Sequence, residues 1–167
     1  MKKSIISATI IIFLAIIIFF IPMFSRFTIS DGKTGKLVYC GKIEDFEEFY
    51  ISFIHSVNRT PVNEYYRIEN CRFLVYKTTF YSYGAGMPDG SDNPDAHIKF
   101  VDGKVEIDNI NRILSEFTVL VGTLADHTLH GSNTNFELDK YVEPQNQALF
   151  KIKRVSIYDI LRRQIYE

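Results

Sequence analysis

The apolar positions divide the chain into two unlike parts. From Ile5 to Phe24 it runs through Ile, Leu, Ala and Phe with no charged residue, interrupted only by Ser7, Thr9 and Pro22. At about 1.5 Å of rise per residue, such a run makes a helix of roughly 30 Å, the thickness of a hydrocarbon core. Beyond it the pattern turns to short strand-like runs punctuated by Gly, Asp, Asn and Pro, the habit of antiparallel β structure. The expected organisation is therefore a transmembrane anchor over residues 1–25 and one all-β domain over residues 26–167, a small antiparallel sandwich or barrel-like unit.

Within the second part, Phe27–Ile29 and Leu37–Tyr39 flank the loop Asp31-Gly32-Lys33-Thr34-Gly35, whose glycines suit a hairpin connection. Phe49–His55 and Asn63–Ile68 make a second pair, and a long run follows from Arg72 to Tyr83. Asp102-Gly103 between His97–Val101 and Lys104–Ile107 predicts a two-residue hairpin turn, because Asp-Gly tolerates positive φ. Further strands are expected near Phe117–Leu120 and Ala148–Lys153. Asp108–Ser115 reads as a helical turn, Met87–Ala96 as the longest loop, and Ser156–Gln164 as a short terminal helix with Ile157, Ile160 and Leu161 on one face.

Charge sets the expected topology. Lys2 and Lys3 precede the apolar run and favour a cytoplasmic N-terminus, with Arg26 on the other flank weakening the asymmetry. That places the domain outside the inner membrane of a bacterial-type cell. A cleaved signal peptide fits less well, because Met23-Phe24-Ser25 is no small-residue cleavage site. Leu37-Val38-Tyr39-Cys40 is a poor lipoprotein box, with bulky Tyr39 before the cysteine. Without Lys2 and Lys3 the 19 basic residues fall to 17 against 20 acidic ones, a balance that attracts no phosphate backbone and argues against nucleic acid as a partner. Fourteen Phe and ten Tyr supply the material of a packed core and exclude a disordered chain. Cys40 and Cys71 both fall in the exported part, where a bridge is permitted but not required.

Candidate chemistry is sparse. A hairpin centred on Asn58-Arg59-Thr60-Pro61 sets His55 opposite Glu64, an imidazole and a carboxylate within reach on one face. Ser56 then points to the opposite face. Gly84-Ala85-Gly86, followed by Met87, allows a sharp turn with N–H groups free to meet an anion. Asp89, Ser91, Asp92, Asn93 and Asp95 invite a calcium reading, but the EF-hand template fails at Pro94 and Phe100. His127 and His130 would face opposite ways on a strand and read as edge or turn residues rather than metal ligands. No catalytic residue, metal or cofactor is assigned on these grounds.

Phe53-Ile54-His55-Ser56-Val57, Thr60-Pro61-Val62-Asn63-Glu64 and Ser82-Tyr83-Gly84-Ala85-Gly86-Met87-Pro88 together resemble an uncharacterised bacterial family, the domain of unknown function numbered eighteen-fifty. Asn58 and Val62 depart from its pattern, which commonly has an acid after His-Ser-Val and aromatic residues nearby. The resemblance extends through the exported domain, more loosely from His127 to Val142. It implies a single membrane segment and, by gene neighbourhood, a link to TAXI-type TRAP transporters of small organic acids or amino acids. The leading expectation is thus a non-enzymatic accessory or binding domain that meets transporter subunits or their solute-binding protein. Its contact face would carry His55, Ser56, Glu64, Gly84, Ala85, Gly86 and Met87. The alternatives are an extracytoplasmic hydrolase using His55 and Glu64, and a purely structural envelope protein.

Overall fold

The computed structural model describes residues 2–82, 94–132 and 134–164, without the side chains of residues 2–5, 8 and 162–164. Residue contacts group the chain into two compact units, residues 27–152 and residues 1–26 with 153–167.

Among the described residues the first unit has eleven strands, of which β1 (Phe24–Asp31) and β11 (Gln147–Val155) also contribute their ends to the second unit. The others are β2 (Leu37–Gly41), β3 (Glu48–Ile54), β4 (Pro61–Glu69), β5 (Arg72–Phe80), β6 (His97–Val101), β7 (Lys104–Leu114), β8 (Glu116–Leu120), β9 (Thr128–His130) and β10 (Asn135–Glu137). They form a four-stranded sheet ordered β2-β1-β11-β8 and a seven-stranded sheet ordered β10-β9-β3-β4-β5-β7-β6. Side chains from both sheets share one core, so the expected all-β, sandwich-like domain is present.

Aromatic residues dominate that core. Phe49 and Tyr66 of the large sheet and Phe117 and Phe150 of the small one form a column of near-parallel rings, with successive centroids 5.0, 4.7 and 4.6 Å apart. Phe27 stacks on Phe46 at 4.3 Å and meets Phe49, Phe73 and Phe150 edge-on. Phe27, Phe46, Phe73 and Phe150 are fully buried. Truncating any such ring costs about 3–5 kcal/mol, because the cavity left behind cannot close.

The hairpin turns follow local chemistry. Asp31 ends β1, where its carboxylate accepts from the N–H groups of Lys33 and Thr34 and from the Thr34 hydroxyl, while Gly35 takes φ +69°. Asp102 and Gly103, at φ 51° and 75°, close the β6–β7 hairpin with Val101 opposite Lys104, as their sequence predicts. Asn70 and Cys71 close β4–β5 in the same way, at φ 51° and 56°. Cys71 is exposed and Cys40 half-buried, and the two are not bridged.

Asp108–Ser115 does not form the expected helical turn; β7 continues as a strand through it to Leu114. Asn109 and Asn111 lie at φ 59° and 51°, a region Asn tolerates, and Asn109, Ile110 and Asn111 together oppose Tyr76 between the pairs Lys77–Asp108 and Val75–Arg112. The bulge resets the alternation of β5, so Phe73 and Val75 face the core before it and Thr78 and Phe80 after it. A smaller cluster of Val62, Phe80, Val105 and Ile107 lies on the far side of this break.

In the second unit, α2 (Ile157–Gln164) is the expected terminal helix. Ser156 caps it: its hydroxyl accepts from the Asp159 N–H, and Asp159 Oδ2 accepts from the Ser156 N–H and hydroxyl, a reciprocal capping box. Tyr158 packs against Phe19 and Phe20 of α1 (Lys2–Phe20). Among the described residues no helix is long and apolar enough to cross a membrane.

The left-handed conformation of Cys71 generates a stability prediction. Cys71→Gly relieves the clash of Cβ with the backbone and should raise stability by about 0.5–1 kcal/mol in urea melts, the relief outweighing the extra freedom of glycine in the unfolded chain.

Candidate functional site

The β3–β4 hairpin carries most of the candidate residues, and its register differs from the expected one. Ile54 pairs with Pro61, Ser52 with Asn63 and Ile51 with Glu64, so His55 and Glu64 do not face each other. The cause is a turn that ends β3 early. The His55 carbonyl accepts the Arg59 N–H at 2.9 Å, and the His55 N–H donates to the Thr60 carbonyl at 3.0 Å. The His55 ring joins this turn, Nδ1 accepting from the N–H groups of Val57 and Asn58 at 3.3 Å each. A side-chain acceptor thus competes with the ladder and leaves residues 55–60 as a loop.

Glu64 lies on the core-facing side of β4 with Val62 and Tyr66. Tyr66 is buried, and its hydroxyl donates to Glu64 Oε2 at 2.8 Å. Burial, reinforced by the Glu64 charge, pushes the Tyr66 phenol far above its ordinary range and keeps it a donor. Glu64 therefore satisfies a core hydroxyl.

His55 and Ser56 do come together with a cavity. An open pocket of about 190 Å³ is lined by Ile54, His55, Ser56 and Arg59 on one side and by residues 122–125 on the other. The Ile54 N–H donates to the Ala125 carbonyl at 2.7 Å and holds the two sides together. Arg59 stands in the left-handed region at φ 56°, and its side chain is exposed, with no carboxylate partner among the described residues. Gly122 is required at the opposite wall, where a Cβ would lie 2.9 Å from that of Ala125. Gly84, Ala85, Gly86 and Met87, like Asp89, Ser91, Asp92 and Asn93, lie outside the described residues.

The two downstream histidines have separate settings. His127 stacks on Phe53 at 5.2 Å, and its Nδ1 accepts the Gly122 N–H at 3.4 Å. Burial lowers its pKa below 6.5, with Asp126 partly opposing. His130, on β9, stacks on Tyr50 at 4.3 Å and bonds Ser52 and Asn135 through its two ring nitrogens. Ser52 and Asn135 carry no sequence motif: they lie 78 and 5 residues from His130, and only the β3–β9 and β9–β10 pairings bring them together. No group of three His, Cys, Asp or Glu side chains suited to a metal occurs among the described residues.

Fold and site together define a two-sheet antiparallel β domain with a small open pocket at one hairpin end. The chain belongs to the family described as Domain of unknown function (DUF1850), whose model matches residues 49–138, from β3 to the end of β10. That span contains both walls of the pocket. No curated protein and no solved structure matches the chain.

The half-buried His127 has a consequence for stability. Its folded pKa lies below the unfolded value near 6.5, so between the two the unfolded chain binds more protons and stability falls as pH drops. His127→Gln should flatten the decline in melting temperature between pH 7 and pH 5, measured as the difference from wild type; superimposable profiles would place His127 in solvent.

Proposed function

We propose that this protein is a membrane-anchored, extracytoplasmic binding domain, accessory to a transporter of small organic solutes, and that the pocket beside His55 is its contact site. The observation that carries the reading is the lining of that pocket. His55 and Ser56, from one of the motifs that resemble the family, lie there beside the exposed Arg59. Its roughly 190 Å³ is smaller than the ~300–1,000 Å³ usual for drug-sized ligands and suits a small organic acid or a single protruding side chain. A guanidinium presents paired donors to a carboxylate. The His55 ring is already held by its own turn, so binding would cost little ordering there.

The anchor is supported by the sequence run Ile5–Phe24 and by the exposure of the apolar side chains of α1, with Ile11, Ile12 and Phe13 each more than 60% exposed. Lipid is the medium in which such a surface is stable. A TAXI-type TRAP transporter subunit or its solute-binding protein is the partner that the family resemblance suggests. Tethering both to one membrane raises their effective concentration and lets a small interface suffice.

Protease added to intact spheroplasts should remove the β domain; protection until lysis would reverse the topology. For the site, Arg59→Gln removes the charge and keeps a polar side chain. Calorimetric titration of the full chain in detergent with small carboxylates should show binding weakened about tenfold or more in this variant, the loss of a charge-assisted bond worth ~1.5–3 kcal/mol, with the melting temperature unchanged. Equal isotherms would leave the pocket architectural and favour a structural envelope role.

A further inference from the structure

The outward face of the seven-stranded sheet holds a hydrogen-bonded chain unrelated to the pocket. Ile51, Leu129 and Phe136 point into the core, so their alternating neighbours Ser52, His130 and Asn135 point the other way. Ser52 Oγ lies 2.8 Å from His130 Nε2, and His130 Nδ1 lies 2.9 Å from Asn135 Oδ1. A side-chain carbonyl oxygen only accepts, so the proton of a neutral imidazole sits on Nδ1 and the Nε2 lone pair receives the Ser52 hydroxyl proton. Tyr50 lies flat on the imidazole, 11° from parallel, and restricts its rotation. Nucleophile, base and orienting group are thus in the relation required for an activated serine.

We propose that Ser52, His130 and Asn135 form a nucleophilic triad that cleaves small carboxylic esters. Ser52 Oγ attacks the carbonyl carbon, forming a C–O bond as its proton passes to His130 Nε2 and the carbonyl π pair moves onto oxygen. When that pair returns, the bond to the alkoxy oxygen breaks and His130 gives its proton to the leaving alcohol. Water then repeats the sequence on the acyl-serine: His130 takes a proton from water, and the products are the carboxylic acid and free Ser52. Asn63, directly opposite Ser52 in register, supplies an amide donor for the oxyanion. Its existing bond to Thr79 is long, 3.4 Å, so the amide is free to re-aim. Tyr50 and Tyr65, with centroids 5.3 Å apart, offer an aromatic surface for the acyl chain. Esters rather than amides follow from the third member: a neutral Asn stabilises the imidazolium less than a carboxylate does, and an alkoxide departs with less help from a proton than an amine.

The proposal does not depend on the pocket reading, since Ser52, His130 and Asn135 do not line that pocket. The test is labelling of the full chain in detergent with a fluorophosphonate, mapped by peptide mass, alongside hydrolysis of p-nitrophenyl acetate. Exposed Ser56 is an internal control. Ser52 should label at least tenfold faster than Ser56. His130→Gln should slow Ser52 labelling about a hundredfold, the low end for a general base, and Asn135→Leu should slow it less, both at temperatures where circular dichroism shows the variants folded. Ester hydrolysis should fall in parallel. Labelling of Ser52 no faster than Ser56, or unchanged in folded His130→Gln, overturns the proposal and leaves the chain as a fastening between β3, β9 and β10.

Discussion

Ring-on-ring packing between the two sheets is the constraint on which the rest of the β unit depends. The column Phe49–Tyr66–Phe117–Phe150 takes two rings from each sheet, and each stacked pair adds about 0.5–1.5 kcal/mol beyond the area it buries. Because strand side chains alternate, a slip of one residue in β3 or β4 would turn Phe49 or Tyr66 to solvent and bring polar neighbours inward. The column therefore sets register as well as stability. That register places Ser52 outward and Glu64 inward.

The break in β5 and β7 is the second determinant. Asn109 and Asn111 occupy left-handed conformations that most residues avoid, and the resulting bulge lets the inward set resume one residue later along β5. The core is consequently divided, with the large aromatic cluster on one side and Val62, Phe80, Val105 and Ile107 on the other. Glu64 lies between Val62 and Tyr66 on β4, and the Tyr66 hydroxyl finds its acceptor there. A polar pair at this point meets the need of a buried phenol without interrupting either apolar cluster.

The pocket and the outward hydrogen-bonded chain use opposite properties of one hairpin. Its end is irregular because the His55 ring captures N–H groups that a ladder would have used, and this opens a concavity against residues 122–125. Its middle is regular, and regularity brings Ser52 beside His130 at hydrogen-bonding distance. Loop ends commonly bear binding groups, while strands hold chemistry to tighter geometry.

Local patterns alone determined the β class, most strand positions, the Asp102-Gly103 turn, the terminal helix and the family, because each rests on neighbours a few residues apart. The apolar run Ile5–Phe24 was equally plain, as it is a property of composition. The His55–Glu64 pairing was misread because hairpin register depends on where β3 stops, which the ring bonds of His55 decide. Asp108–Ser115 resembled a helical turn because Asn109 and Asn111 suit turns; only pairing with β5 draws them into a strand. Ser52 and Asn135 had no signal at all, and His130 read only as an edge or turn residue. Side chains 78 residues apart become partners through sheet order, and sheet order is chosen by the burial of the aromatic core, a free energy summed over the whole unit and written in no single segment.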